Sequence, residues 1–289
     1  MSAAGASAVA TQGLISSSTQ RSDEWHERPQ RGRLRLLSYN IQTGISTRRY
    51  REYLTHSWKH LLPHRTRWEN LDNIADLVAD YDLVGLQEVD AGSLRSGFVN
   101  QTEYLARRAG FPFWTSQTNR RIGKLAQHSI GVLSRFPLAD VTEIKLPGRI
   151  PGRGVLMARL GGEAEPVIVL IAHLALGKRA RLRQLGFLGR LVRNYKHVIL
   201  MADLNCAAHS PEMTSLLHQG GLRVPEYGLC TFPSWRPIRN IDHILLSPTL
   251  KVETVEVPSY SFSDHLPVAV EVALPAEIFV PDGRMSIGT

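Results

Sequence analysis

Apolar runs of strand length that stop abruptly on a polar residue constrain this chain more than any other feature. Pro166 to Ala172 runs into His173, Val198 to Ala202 into Asp203, and Asp82 to Gln87 into Glu88. Short β-branched blocks of this kind read as buried strands, and the polar residue then sits where the strand leaves the core. Six such motifs follow one another: Tyr39-Asn40-Ile41, Gln87-Glu88-Val89, Ala172-His173-Leu174, Ala202-Asp203-Leu204-Asn205, Ile241-Asp242-His243 and Ser263-Asp264-His265-Leu266-Pro267. Taken singly each is weak. In this order, behind lead-ins such as Arg35-Leu36-Leu37-Ser38 and Val198-Ile199-Leu200-Met201, they read as one polar cluster at the edge of a buried sheet.

The chemistry of that cluster is specific. The imidazoles of His173 and His265, the carboxylates of Glu88, Asp203, Asp242 and Asp264, and the carboxamides of Asn40 and Asn205 are what metal-assisted phosphate chemistry requires. Carboxylate oxygen holds a hard cation, a second carboxylate positions water, and imidazole or amide groups meet charge growing on phosphoryl oxygens. Asp203 and Asn205 lie two apart at a strand end, so both can point to one side. Asp242 and His265 most resemble a His–carboxylate unit, the Asp fixing the imidazole tautomer and raising its basicity. His243, one residue on, should face the opposite way. Alone, Glu88 would be a salt-bridged strand-end residue, Asn40 a turn residue and either His a structural one.

The set resembles the endonuclease/exonuclease/phosphatase (DNase I-like) superfamily from about Arg33 to about Pro275, most specifically in Ser263-Asp264-His265-Leu266-Pro267-Val268 and in Asp203-x-Asn205. The resemblance implies an α/β (α+β) fold, a four-layer sandwich of two packed mixed β-sheets flanked by helices. It implies Glu88 as the principal Mg²⁺ ligand, with Mn²⁺ able to substitute, and Asn40 and Asp264 beside it. Asp203 would orient and deprotonate the attacking water, Asn205 would bond that water or the phosphate, and His173 would donate to a phosphate oxygen or the leaving group. Ala202 stands where the family has Gly, a mild change. Asn40-Ile41-Gln42 in place of Asn-x-Asp, and the presence of His173, separate the chain from AP endonucleases. His128 to Pro137, followed by Arg153-Gly154-Val155, is similar to bacterial members near sphingomyelinases and lipid-remodelling relatives, although Ser129-Ile130-Gly131 replaces their Gly-Asn-Ala. Thr231-Phe232-Pro233-Ser234-Trp235 is also family-like. Arg239 beyond it is a candidate to hold a substrate phosphate, and Trp235 either packs or stacks a base.

The activity expected is a metal-dependent phosphoesterase using in-line attack by water. Its substrate is expected to be a phospholipid-type or small phosphodiester; the alternative is a DNA or RNA nuclease. A binding protein with a vestigial site would lack catalytic groups, whereas all six motifs are intact. A net charge of +8 suits any phosphate-containing substrate. It concentrates between residues 178 and 196, where Leu182, Leu185, Leu188 and Val192 recur at helical spacing among Arg and Lys. That segment reads as a cationic amphipathic helix. It is either a solvated helix packed on the sheet or a surface for nucleic acid or an anionic membrane.

With 289 residues and 43% hydrophobic content the chain can bury a single large core. Residues 1–32 read as a disordered arm, 33–275 as the enzyme domain and 276–289 as a tail. No apolar run is long enough to span a bilayer, no secretory signal is recognised, and Cys206 and Cys230 suggest no disulfide framework. A cytoplasmic monomer is expected, peripheral at the membrane if the basic helix binds lipid. Residues 45–66 form an insert in which His56, His60 and His64 recur every four residues, a metal or phosphate contact if helical, though Pro63 argues against one unbroken helix.

Overall fold

The computed structural model describes residues 32–44, 65–122, 126–148, 152–276 and 278. The expected arm over residues 1–32, nearly all of the 45–66 insert with its three histidines, and the tail from 276 onward therefore lie outside the described residues, apart from Gly32, Arg65, Thr66, Ala276 and Ile278 at their margins.

The strands are β1 (Arg33–Asn40), β2 (Leu83–Asp90), β3 (Phe113–Ile122), β4 (Ala126–Ser134), β5 (Leu138–Lys145), β6 (Gly154–Leu160), β7 (Val167–His173), β8 (His197–Asp203), β9 (Asp242–Leu246), β10 (Lys251–Glu256) and β11 (Val268–Ala273). Among the described residues the α-helices are α1 (Arg65–Val78), α2 (Gln101–Ala109), α3 (Lys178–Val192) and α4 (Pro211–Gly220). One sheet runs β10-β11-β1-β2-β4-β3 and the other β5-β6-β7-β8-β9. Both are mixed, with β1–β2 and β7–β8 parallel and the remaining pairs antiparallel.

Alternation along the strands builds the layers. In β7, Val167, Val169 and Ile171 join Leu34, Leu36, Leu83 and Val270 of the other sheet in the central core. Ile168, Leu170 and Ala172 face outward onto Leu185, Leu188 and Val192 of α3 and Met213 and Leu216 of α4. On the opposite flank Leu37, Tyr39, Val84 and Leu86 pack on Leu71, Ile74 and Val78 of α1 and Leu105 of α2. The result is helices, sheet, sheet, helices. A strand buried on both faces reads as a continuous apolar run, which is why β7 and β8 carry so little polarity before their last residue.

The two sheets approach closely at Gly85. A Cβ there would stand 2.7 Å from Ile171 Cδ1 and 2.9 Å from Met201 Cβ, distances that no side chain tolerates without a shift of the opposite sheet.

The basic helix differs from expectation in two respects. It ends at Val192 rather than continuing to residue 196. Its inner face is Leu185, Leu188 and Val192, as expected, but Leu182 is 44% exposed and Arg181 takes the inner place. Arg181 is held there by Glu212 of α4, at 2.6 Å from Nη2 and 3.0 Å from Nε to the same carboxylate oxygen. A buried guanidinium is tolerated only when paired in this way. Among the described residues no helix is long and apolar enough to cross a membrane.

Candidate active site

The parity that builds the core also delivers the polar cluster. Continuing the inward positions of β7 gives His173, those of β8 give Asp203 and those of β9 give Asp242; His173 pairs with Asp203, and Asp203 with Asp242, across the sheet. From the other sheet β1 contributes Asn40, whose Nδ2 donates to Asp203 Oδ2 at 3.1 Å. Its Oδ1 accepts from Gln42 N, so one oxygen lone pair remains for a further contact. The outward parity of His243 is as expected: it is buried and its Nε2 lies 2.8 Å from the Cys206 carbonyl.

Glu88 reaches the cluster by a different route. It does not end its strand, because β2 runs on to Asp90. Simple alternation after the inward Leu83, Gly85 and Gln87 would turn Glu88 toward the helices. Instead the β2–β4 register shifts between Leu86 and Val89, and Glu88 takes a left-handed φ of 55°. This bulge re-aims the carboxylate into the site, a recurrent use of bulges beside reacting centres. Gln42, Thr43 and Asn205 also have positive φ, so four of the six such non-glycine residues among those described lie in or beside this cluster. Strain of about 1–3 kcal/mol per residue gathers where geometry is over-determined.

Asp203 is the hub. Oδ1 accepts from Asn205 N at 3.0 Å, and Oδ2 lies 3.3 Å from His173 Nε2, which is also 3.8 Å from Glu88 Oε1. Asn205 spends its side-chain amide on the Leu174 carbonyl, at 3.1 Å, and so fixes the strand end that carries His173. His265 Nδ1 faces both oxygens of Asp242, at 2.8 and 3.1 Å, while Nε2 lies 4.0 Å from Asp264 Oδ1. Thr231 Oγ1 donates to the same Asp242, and Ser263 Oγ donates to Asp264 at 3.2 Å. In the sequence Thr231 stands only within a family-like stretch, because a hydroxyl inside a loop carries no signal of its own.

These groups are almost fully buried, and burial sets their protonation. Burial, then the charges of Asp242 and Glu88, pushes Asp203 up to about 7. Burial, opposed by His265 and reinforced by Glu88, takes Asp264 to about 6. Burial works to lower His265, but the charge and hydrogen bond of Asp242 outweigh it and raise the imidazole to about 10. His173 is driven well below its ordinary value by burial and then by Arg153. Ligand atoms of Asp203, Asp242 and His265 come within 4.8 Å of one another, a potential acidic metal site. Asp242 and His265 already bond each other, whereas the charge of Glu88 bears on both Asp203 and Asp264, so these carboxylates can offer oxygen ligands to a hard divalent cation. That donor set is oxygen-rich, as such a cation requires, and Glu88 is its partly exposed member.

Glu88 and His173 also form one end of a cleft of about 700 Å³. Its other walls carry Arg120, Arg153, Lys178, Arg179 and Arg183. Arg239 is not among them: it is exposed, with its guanidinium 5.5 Å over the Phe232 ring, which packs 4.8 Å from His265. In the sequence Arg153 reads only as part of a family-like stretch; the fold sets its charge against those of Glu88 and Asp203.

The sequence model of the endonuclease/exonuclease/phosphatase family matches residues 37–265. No curated protein matches. Among solved structures, an endonuclease/exonuclease/phosphatase from Beutenbergia cavernae is 20% identical with a TM-score of 0.65, covering 84% of this chain and 72% of that one. The mannosyl-6-phosphatase of Bacteroides thetaiotaomicron is 18% identical with a TM-score of 0.63, covering 83% and 100%. The human Nocturnin catalytic domain with bound sulfate is 17% identical with a TM-score of 0.64, covering 84% and 94%. These likenesses establish the fold.

Proposed function

The chain belongs to the endonuclease/exonuclease/phosphatase family of phosphoesterase hydrolases, and from that premise we propose a Mg²⁺-dependent phosphoesterase acting on a small phosphoester or a phosphodiester of lipid-headgroup type. The observation that carries this reading is the buried hub at Asp203, bonded from both sheets and opening at Glu88 and His173 into a bounded cleft. A volume of about 700 Å³ is that of a small-ligand pocket. A duplex calls for an open groove, so the small-substrate reading is preferred to a nuclease.

Glu88, with Asp264 and the Asn40 oxygen, would hold the cation, which supplies Lewis acidity toward a phosphoryl oxygen when bound. The chain's own residues perform the rest. Asp203, with a proton affinity near neutrality, accepts a proton from the attacking water while Asn40 and the Asn205 N–H hold its carboxylate in place. His265, kept cationic by Asp242, donates from Nε2 to the phosphoryl oxygens on which charge accumulates. His173 stays neutral and contributes its Nε2 to a phosphate oxygen or to the leaving group. Asn205 acts as a positioning residue for His173.

Hydrolysis of bis(4-nitrophenyl) phosphate, sphingomyelin, glycerophospholipids and single- and double-stranded DNA and RNA, with Mg²⁺ and with EDTA, tests this reading. Cleavage of a small or lipid diester that needs Mg²⁺ and disappears in Asp203→Ala supports it. Preference for nucleic acid, or activity that survives Asp203→Ala, overturns it.

A further inference from the structure

The cleft beyond Glu88 is more cationic than hydrolysis of one phosphate requires. Among the described residues its lining includes Arg120, Arg153, Lys178, Arg179 and Arg183 against the single carboxylate of Glu88. These cations come from separate parts of the chain: Arg120 from the end of β3, Arg153 from the turn before β6, and the other three from the first turns of α3. Among the described residues none of the five makes an ion pair, although Arg181, between Arg179 and Arg183 in sequence, is fully engaged with Glu212. That contrast matters. Where α3 needs a cation for structure it pairs it inward, and the neighbours pointing into the cleft are left for something else.

Backbone and burial reinforce the same wall. Helix α3 opens behind Gly177 with no acidic residue in its first turn, so its positive end adds to the side-chain charge there. Burial, with the neighbouring charge of Arg120, lowers the proton affinity of Arg153 against the opposing pull of Glu88 and Asp203. Unpaired cations converging on one bounded cavity are mutually repulsive unless an anion joins them.

We propose that this cleft is a subsite for a second phosphate, so that the substrate carries one phosphate at the Asp203–His265 floor and another held by Arg120, Arg153 and the first turns of α3. This rests on the phosphoesterase reading above and narrows it to small molecules bearing at least two phosphates. Planar guanidinium groups suit the paired oxygens of a phosphate, and Leu176, 75% exposed at the same cleft, supplies an apolar surface for the scaffold between the two.

Two measurements test it. The first compares thymidine 5′-(4-nitrophenyl phosphate) with and without a 3′-phosphate, and inositol 1-phosphate with inositol 1,4-bisphosphate, as Mg²⁺-dependent substrates. The full chain should favour the doubly phosphorylated member of at least one pair by about tenfold or more in kcat/KM, the fold-change of one good ionic contact. The preferred pair tells a nucleotide scaffold from a polyol one. Lys178→Ala/Arg179→Ala/Arg183→Ala, and separately Arg120→Ala on the facing wall, should collapse that ratio toward one. The second measurement is calorimetric binding of inorganic pyrophosphate in EDTA, which needs no turnover. Binding that weakens about tenfold in the triple variant, with unchanged circular dichroism and melting temperature, supports the subsite even if no ester is cleaved. Equal ratios and equal pyrophosphate binding in wild type and both variants would overturn it.

Discussion

Two imidazoles share this floor, about equally buried, yet burial drives one toward neutrality and fails to do so for the other. His173 ends β7 in a regular parallel pair; its nearest carboxylate oxygens, at 3.3 and 3.8 Å, belong to Asp203, which Asn40 and Asn205 also hold, and to Glu88. His265 sits in the loop before β11, with Nδ1 held by Asp242 at 2.8 Å and Asp242 itself held by Thr231. Desolvation is the largest influence on both. The lesson is that a dedicated carboxylate, fixed by a further donor, reverses what burial alone does to a histidine. One floor therefore offers a neutral ring and a cationic ring at the same pH.

The sharpest way to break this comparison is to remove the residue both rings feel. Asp203→Ala should lower kcat by at least about 10³-fold, beyond what loss of one proton-transfer contact gives, measured on whichever ester the screen identifies. Asp242→Asn should come next, at about 10²–10⁴-fold. It should also make the two rings alike, dropping the His265 titration from near 10 toward or below 6.5 in imidazole NMR while that of His173 stays low. An unmoved His265 resonance would show that Asp242 is not the cause.

Stability against pH sharpens the contrast without turnover. His265 binds its proton more tightly folded than unfolded, so its contribution is complete below about 6.5 and is lost as pH rises through 10. His173 has the opposite sign, costing stability as pH falls below about 6.5, where the unfolded ring charges and the buried one does not. Asp203, raised to about 7, removes stability between about pH 4 and 7. Urea titrations in EDTA should show unfolding free energy declining from neutrality toward pH 10. In Asp242→Asn that decline should flatten; a slope identical to wild type would exclude His265 as its source. The smallest effect belongs to Thr231→Val. Losing one buried donor should cost about 1 kcal/mol of stability and a few-fold in kcat, with a modest fall in the His265 titration.

Most of the scaffold was legible because most strands are buried on both faces. Strands β3 and β5, which form edges of the two sheets, carry no such signal. The outer strand β5 faces solvent for much of its length and β3 carries Thr, Ser, Gln, Asn and Arg, so neither shows a strand-sized apolar run. Asn40, His173, Asp203, Asp242, Asp264 and His265 were legible as motifs and are brought together. Glu88 was legible as a residue but not as a bulge, since nothing in Leu-Gln-Glu-Val announces a left-handed backbone. The neighbour of His173 proved to be Asp203 on the adjoining strand, a pairing fixed by parallel register rather than local sequence. Leu182 and Arg181 exchanged their expected places because Glu212, thirty-one residues on, offers a buried partner that helical spacing cannot reveal. The cationic cleft was the least visible feature, being assembled from three distant segments whose arginines look alike on the page.

The close approach at Gly85 has a bearing on how the enzyme comes into being. Asn40 and Glu88 belong to one sheet and His173, Asp203 and Asp242 to the other, and with no side chain at Gly85 Ile171 and Met201 lock directly against its backbone. Neither half holds a complete set of reacting groups. Activity is thus born only at the docking step: a nascent or nicked chain with just one sheet formed is chemically silent. Recovery of turnover during refolding would time the meeting of the layers rather than the formation of either one.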